Sequence, residues 1–271
     1  MTRLALRAGA RVRIALLAGI GLIAAAAVAL AVQRPSGPAA PAGAAGRPSL
    51  MLLTSLPLIF PEQFGLDGGG SAALTALETR FRVVPVDTVA ADKLTVGPLL
   101  LMAHPPAQTA EALVDLDAWV RAGGGLLLLA DPALEWHSDR PLGDLLRPPP
   151  AFADTGLLSH WGLRLDAPEQ RGPRLLSIGA REVMTNSPGI LFGAACRIGA
   201  DGLTAHCRIG KGRVTVIADA DFLDVDRPEG LDGPTRDNLP ALLGELTSLG
   251  SGRADSPGVG SSNRLIHKGA T

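Results

Sequence analysis

Tyrosine is absent from this sequence, and aromatic residues of any kind are scarce: six Phe and three Trp, 3% of the chain. A protein that holds single-stranded nucleic acid by stacking bases on aromatic rings needs more of them. An excess of positive charge is missing as well. Lys and Arg number 25 against 26 Asp and Glu, a formal net charge of −1, so a surface that works by neutralising phosphates is excluded. No Gly-X-Y or heptad period and no internal repeat runs through the 271 residues, which removes fibrous classes. Short catalytic signatures are missing too. There is no G-x-x-x-x-G-K-[ST], so the chain is not an ATPase of that type, and no H-E-x-x-H, C-x-x-C or G-x-S-x-G occurs.

What is present is distributed unevenly. Five arginines and no acid lie in the first 34 residues; the remaining 20 Lys and Arg face all 26 acids, a net of −6. Ile14 to Val32 is a run of nineteen uncharged residues preceded by Arg3, Arg7, Arg11 and Arg13 and followed by Arg34. About twenty apolar residues cross a bilayer as a helix, and the arginines hold the N-terminus on the cytoplasmic side. The reading is a single-pass inner-membrane anchor with the main domain periplasmic. A cleaved signal peptide has the same layout, with small residues at Ala29-Leu30-Ala31. Residues 33–48 are a Pro/Gly/Ala linker, 49–249 an extracytoplasmic α/β domain, and 250–271 a Ser/Gly-rich disordered tail.

Within the domain, apolar runs alternate with helical patterns. Strands are predicted at Leu50–Leu53, Phe81–Val86, Leu99–Ala103, Leu126–Ala130 and Val214–Ala218. Helices are predicted at Ser71–Arg80, with Ser71 as N-cap, at Gln108–Ala122, closed by Gly123-Gly124-Gly125, and at Asn238–Leu249. Asp154 caps a short helix bearing Leu157, Leu158 and Trp161. Fully apolar strands separated by helices predict a parallel sheet.

Four features carry candidate chemistry. Cys196 to Ile209 reads as a hairpin turning at Asp201-Gly202, which sets Cys196 opposite Cys207 about 5.5 Å apart between Cα atoms, within reach of a disulfide. Two buried small hydrophobes are the alternative. Gly68 to Ala73 matches G-x-G-x-x-A, with Asp87 ending the next strand, yet the residues between it and the preceding strand make it a loop rather than a phosphate cradle. Asp131 follows Leu-Leu-Leu-Leu-Ala, and Asp219 and Asp221 follow Val-Thr-Val-Ile-Ala. Ligands of open α/β sheets bind beyond the carboxyl ends of strands, so these acids are candidates for ligand or partner contact, and His104, His137 and Asp139 are candidates to join them. Structural capping by the same acids is the alternative. Finally, Trp119 and Trp161 read as core, and Trp136, in a loop, as the most exposed tryptophan and a further candidate for ligand or partner contact.

The stretch 99–146, with Trp119-Val120, Gly123-Gly124 and Leu129-Ala130-Asp131-Pro132, followed by GLLSHWGLRL and then GKGRVTVIADADFLD and Asp237-Asn238, resembles the exported domains of ABC-type transport auxiliary proteins. These include the gliding-motility type and related membrane-anchored bacterial families. The resemblance implies a flavodoxin-like, class I glutamine amidotransferase-like fold, a mostly parallel sheet with helices on both faces. The G-x-C-x-G nucleophile elbow of the amidotransferases is missing, since Cys196 sits in Ala-Ala-Cys-Arg-Ile. The expected function is a noncatalytic, membrane-anchored accessory or binding subunit of a bacterial envelope assembly, without cofactor. Its partners would be membrane lipid and a transporter permease or ATPase, not nucleic acid. The alternative is an exported metal-dependent hydrolase using the strand-end aspartates with His137 or His104.

Overall fold

A computed structural model of the protein describes residues 46–60, 62, 70–226, 231 and 233–251. The chain divides into two units, 1–46 and 47–271, and every described helix and strand belongs to the second. The expected anchor at Ile14–Val32, the Gly68–Ala73 loop in part and nearly all of the tail lie outside the described residues. Among the described residues no helix is long and apolar enough to cross a membrane. The expected anchor is thus not among the described helices, and the inner-membrane, periplasmic placement built on it is not carried further.

The core of the domain is a seven-stranded sheet. Its parallel part includes β1 (Ser49–Thr54), β2 (Arg82–Pro85), β3 (Leu99–Ala103) and β4 (Gly125–Leu129). β3 reads Leu-Leu-Leu-Met-Ala and β4 Gly-Leu-Leu-Leu-Leu, and every residue of both is buried. Strands of this kind have no solvent face and must be covered on both sides. One cover includes α1 (Ala72–Arg80), which contributes Ala73 and Leu77 to the same apolar cluster as Leu50, Leu101 and Leu127. The opposite cluster takes Ala112, Leu116 and Val120 of α2 (Ala110–Ala122), packed with Met51, Leu100 and Leu126.

Local signals explain the helix ends. The Ser71 hydroxyl accepts from Leu74 N at 3.1 Å, and the Thr109 hydroxyl accepts from Ala112 N at 3.2 Å, each satisfying one free N–H of a first turn. Thr109 in that role starts the second helix at Ala110 rather than Gln108. Gly123, at φ 128°, ends it by donating to Val120 O.

The stretch after β4 contains only the one-turn α3 (Leu157–His160) and short antiparallel ribbons. β5 (Arg164–Asp166) pairs with β8 (Ile190–Phe192), and β6 (Pro173–Ile178) with β7 (Arg181–Asn186). The chain re-enters the main sheet through β9 (Arg197–Ile198), β10 (Thr204–Ile209) and β11 (Gly212–Ile217), giving the order β2-β1-β3-β4-β11-β10-β9. α4 (Asn238–Gly250) closes the fold, with Ala241, Leu242 and Leu246 in the cluster that holds α1.

The expected flavodoxin-like sheet is corrected at one edge: β2, β1, β3, β4 and β11 run parallel, but β10 is antiparallel to both β11 and β9. The sheet is mixed, and helices are few: among the described residues only three α-helices exceed four residues. The reason is the length of one connection. Only Gly210 and Lys211 separate β10 from β11, whereas a parallel pair needs a crossover of about a dozen residues or more. That tight turn lies against the end of α2, where Lys211 N donates to Arg121 O at 3.0 Å. A Cβ at Gly212 would overlap the Val120 and Gly124 carbonyl oxygens, so no other residue fits.

The pairs Ala205–Ile198 and His206–Arg197 extend the register that opposes residues 196 and 207, and a disulfide joins Cys196 to Cys207. Their Cα atoms are 4.5 Å apart, closer than the hydrogen-bonded spacing anticipated for the pair.

Candidate functional site

The parallel register builds the site. Leu129 of β4 pairs with Ile217 of β11, so residues two further along each strand leave the sheet side by side. Those residues are Asp131 and Asp219. The turn Asp221–Leu223, directly after β11, brings in Asp221. One carboxylate oxygen from each of the three lies within 4.8 Å of the other two. Asp131 and Asp219 have no solvent exposure, and Asp221 has 3%.

Each carboxylate is also held by backbone. Asp131 accepts from Ala133 N and from Ala220 N, both at 2.8 Å. Asp219 accepts from Phe222 N at 2.7 Å and from Asn186 N at 3.0 Å, and Asp221 from Glu135 N at 2.9 Å. The three side chains thus tie together the loop after β4, the turn after β11 and the end of β7. The Asn238 amide closes the same region from the start of α4, donating to Met184 O and Phe222 O and accepting from Met184 N.

Burial dominates the electrostatics. It raises Asp131 to about 6, against the backbone hydrogen bonds from Ala133, Ala220 and Asp221, with the Glu135 charge adding to the rise. Burial raises Asp221 to about 8, reinforced by the charges of Asp131, Asp224 and Glu135. Asp219 is raised well above the usual carboxylate range by burial and then by the charges of Asp131 and Asp221. Such a group of acids favours either protons or a cation, because like charges in a dry site repel strongly.

Two further acids belong to the surroundings, and neither is singled out by its sequence pattern. Glu135 accepts from Ser187 Oγ at 2.5 Å and from Arg171 Nη1 at 3.3 Å, at the rim of the cluster. Asp224, buried one turn beyond Asp221, acts on it electrostatically. Their only sequence signal is position: Glu135 follows Asp131 by four residues in the same loop, and Asp224 ends the Asp-x-Asp-Phe-Leu-Asp run.

The histidines do not assemble with the aspartates. His104, wholly buried just after β3, bonds through Nε2 to Pro149 O at 2.8 Å. Burial lowers its pKa, partly offset by that carbonyl. His137 and Asp139 pair with each other at 3.2 Å, with side chains 70% and 65% exposed. The hydrolase arrangement with His137 or His104 is therefore not formed. Trp136, expected at the surface, is 8% exposed and packs in the cluster with Leu56 and Leu58. Trp161 is buried, and its Nε1 donates to Asp117 Oδ1 at 2.8 Å.

No family model and no curated protein matches the chain. Similar solved structures do exist. Exo-β-1,4-mannosidase Op5Man5 from Opitutaceae bacterium strain TAV5 is 13% identical over 66% of this chain and 33% of its own, with a TM-score of 0.41. The mmIFT52 N-terminal domain is 14% identical over 77% of this chain and 99% of its own, with a TM-score of 0.49. Cytoplasmic Protein STM1381 from Salmonella typhimurium LT2 is 11% identical over 74% of this chain and 99% of its own, with a TM-score of 0.46. The chain thus spans about a third of the mannosidase, and likenesses at this level assign no activity. The expectation of a noncatalytic chain is not carried further, because a converging set of buried carboxylates with raised pKa values is also what acid–base or metal chemistry uses. None of the three similar structures is titled as a transport-auxiliary or amidotransferase-like domain.

Proposed function

We propose that this protein is a binding domain that holds a divalent cation at Asp131, Asp219 and Asp221 and engages its ligand or partner through the loops around that cation. The observation that carries the reading is the convergence of three buried carboxylate oxygens within 4.8 Å of one another. Capping accounts for the backbone hydrogen bonds but not for the convergence, since a strand-end aspartate caps its own turn without needing two others beside it. An all-oxygen, carboxylate-rich site suits a hard cation. Two oxygens on opposite sides of an ion are separated by at most twice the metal–oxygen distance, about 4.6–5.2 Å for Ca²⁺ and about 4.2 Å for Mg²⁺. The spacing therefore admits Ca²⁺ without rearrangement. Glu135 stands at the rim, where it can add a carboxylate to the ion or meet an incoming cationic group.

The test is metal content after exchange. Full-length protein is dialysed against Ca²⁺, Mn²⁺ or Mg²⁺, passed over a desalting column and assayed by elemental mass spectrometry, in parallel with the triple variant D131N/D219N/D221N. One ion per chain in the parent and none in a folded variant supports the reading. Substoichiometric metal in the parent, or equal metal in both, rejects it.

A further inference from the structure

A cavity of about 380 Å³ opens between the tip of the β6–β7 hairpin and one face of α4, and it shares no residue with the aspartate cluster. Ile178, Gly179, Ala180 and Arg181 line one wall, and Ala241, Gly244 and Glu245 the other. Gly244 lies in the interior of a thirteen-residue helix, where glycine costs stability relative to alanine. No close packing requires it there, because a Cβ built on Gly244 meets nothing within 4 Å. The glycine leaves the cavity floor open.

Glu245 supplies the polar end. Its side chain is 13% exposed. Oε2 accepts from His206 Nε2 at 3.0 Å and from Thr215 Oγ1 at 3.4 Å, which fixes the carboxylate against the sheet. Oε1 is the oxygen nearest the Gly179 turn, 4.0 Å from where a Cβ there would sit. The guanidinium of Arg181, at the opposite wall, pairs with Asp237 at 3.1 Å, so its charge is already met. Both contacts fall on Oε2, and among the described residues Oε1 has no hydrogen-bond partner, so one carboxylate oxygen is left to receive a donor at that end of the cavity. The side chains of Ile178 and Ala241 provide apolar surface beside it.

We propose that this cavity is a binding site for a small aliphatic primary amine. The ammonium group pairs with the Glu245 carboxylate, and the alkyl chain lies over Gly244 between Ile178 and Ala241. A positioned, partly desolvated carboxylate with a short apolar trough is the chemistry that recognises such a cation.

The experiment is a titration of the ¹⁵N-labelled full-length protein with n-butylamine, followed by amide chemical shifts, with n-butanol and butyrate as uncharged and anionic counterparts. Saturable shifts centred on Gly179, Ala180, Gly244 and Glu245 are expected with the amine and not with the other two. Glu245→Gln should weaken binding at least about tenfold, the effect of losing one hydrogen bond to a charged group. Because Glu245→Gln could disturb the contact with His206, Gly244→Leu is the second variant. It fills the trough from an unobstructed helix position, and it should abolish the shifts while the melting temperature holds or rises. Absence of saturable shifts, equal response to butanol, or unchanged binding in Gly244→Leu overturns the proposal.

Discussion

Asp131 and Asp219 each stand two residues beyond a register-matched pair, Leu129 and Ile217, on neighbouring parallel strands. Their carboxylates are brought together by the hydrogen-bonded ladder of the sheet itself, and a shift of either strand by one residue would separate them. The carboxylates also hold their own surroundings: Ala220 N, next in the chain to Asp219, donates to Asp131.

Removing one of these side chains uncovers buried donors. Asp219→Ala leaves Asn186 N and Phe222 N without their acceptors. The expected loss is about 2–4 kcal/mol of folding stability, measured by urea denaturation at pH 6. A change below about 0.5 kcal/mol would mean that these loops do not depend on the aspartate.

The raised pKa values fix the direction of the pH response. A carboxyl that titrates higher in the folded state than in the unfolded one binds protons on folding, so its contribution to stability falls as pH rises between the two values. Asp131, at about 6, and Asp221, at about 8, act in the same direction. In chelator, stability should therefore decline from about pH 4 to about pH 8 on their account. Asp117 acts in the opposite sense: burial pushes it up, but hydrogen bonds from Arg121 and Trp161 outweigh that and hold it low. Its contribution is present above the ordinary carboxylate range and is lost only as pH falls through its lowered value. Melting temperatures of the parent and of D131N/D221N across this range separate the two. The decline should flatten in the double variant.

The disulfide closes a short loop, with Cys196 and Cys207 eleven positions apart in sequence. Constraining a loop of this length in the unfolded chain contributes about 3 kcal/mol. The double variant Cys196→Ser/Cys207→Ser should lose that much in urea denaturation, and the parent should lose the same on reduction. Identical curves with and without reductant would contradict it.

Gly212→Ala tests the contact between the β10–β11 turn and the end of α2. The added methyl meets the Val120 and Gly124 carbonyl oxygens, which are backbone and cannot swing aside. Overpacking of this kind should cost about 3 kcal/mol, read from the thermal unfolding transition. Gly244→Ala, where nothing lies within 4 Å, should do the reverse and stabilise slightly, by about 0.5–1 kcal/mol.

Particular residues show where sequence reading reaches and where it stops. The runs Leu99–Ala103 and Leu126–Leu129 are so uniformly aliphatic that no other element accommodates them, and Thr109 with Gly123 brackets the helix between them by local hydrogen bonding. Aspartates after two such runs are legible as strand-end acids because the strand pattern stops at them. Glu135 and Asp224 are not, because their approach depends on how the loop from Pro132 and the turn from Ala220 fold back. His104 shares with the acids a place at the end of a strand, but its ring bonds to Pro149, a contact set by a loop 45 residues away. The sheet's mixed character is hidden in the two-residue turn Gly210-Lys211, whose length alone dictates antiparallel pairing. The β6–β7 ribbon has no clear sequence pattern because charged and apolar residues interrupt each other along it: β7 carries Arg181 and Glu182 immediately before the buried Val183, Met184 and Thr185.

In the proposed site a divalent cation takes the place of protons held by the aspartate cluster. Calorimetric titration of Ca²⁺ into full-length protein at pH 7, in buffers of differing ionisation enthalpy, measures both binding and the protons released. The expected result is one ion bound per chain with release of about one proton, because Asp221, raised to about 8, holds its proton at that pH in the absence of metal. Absence of binding, or binding with no proton released and unchanged in D219N, would contradict the claim.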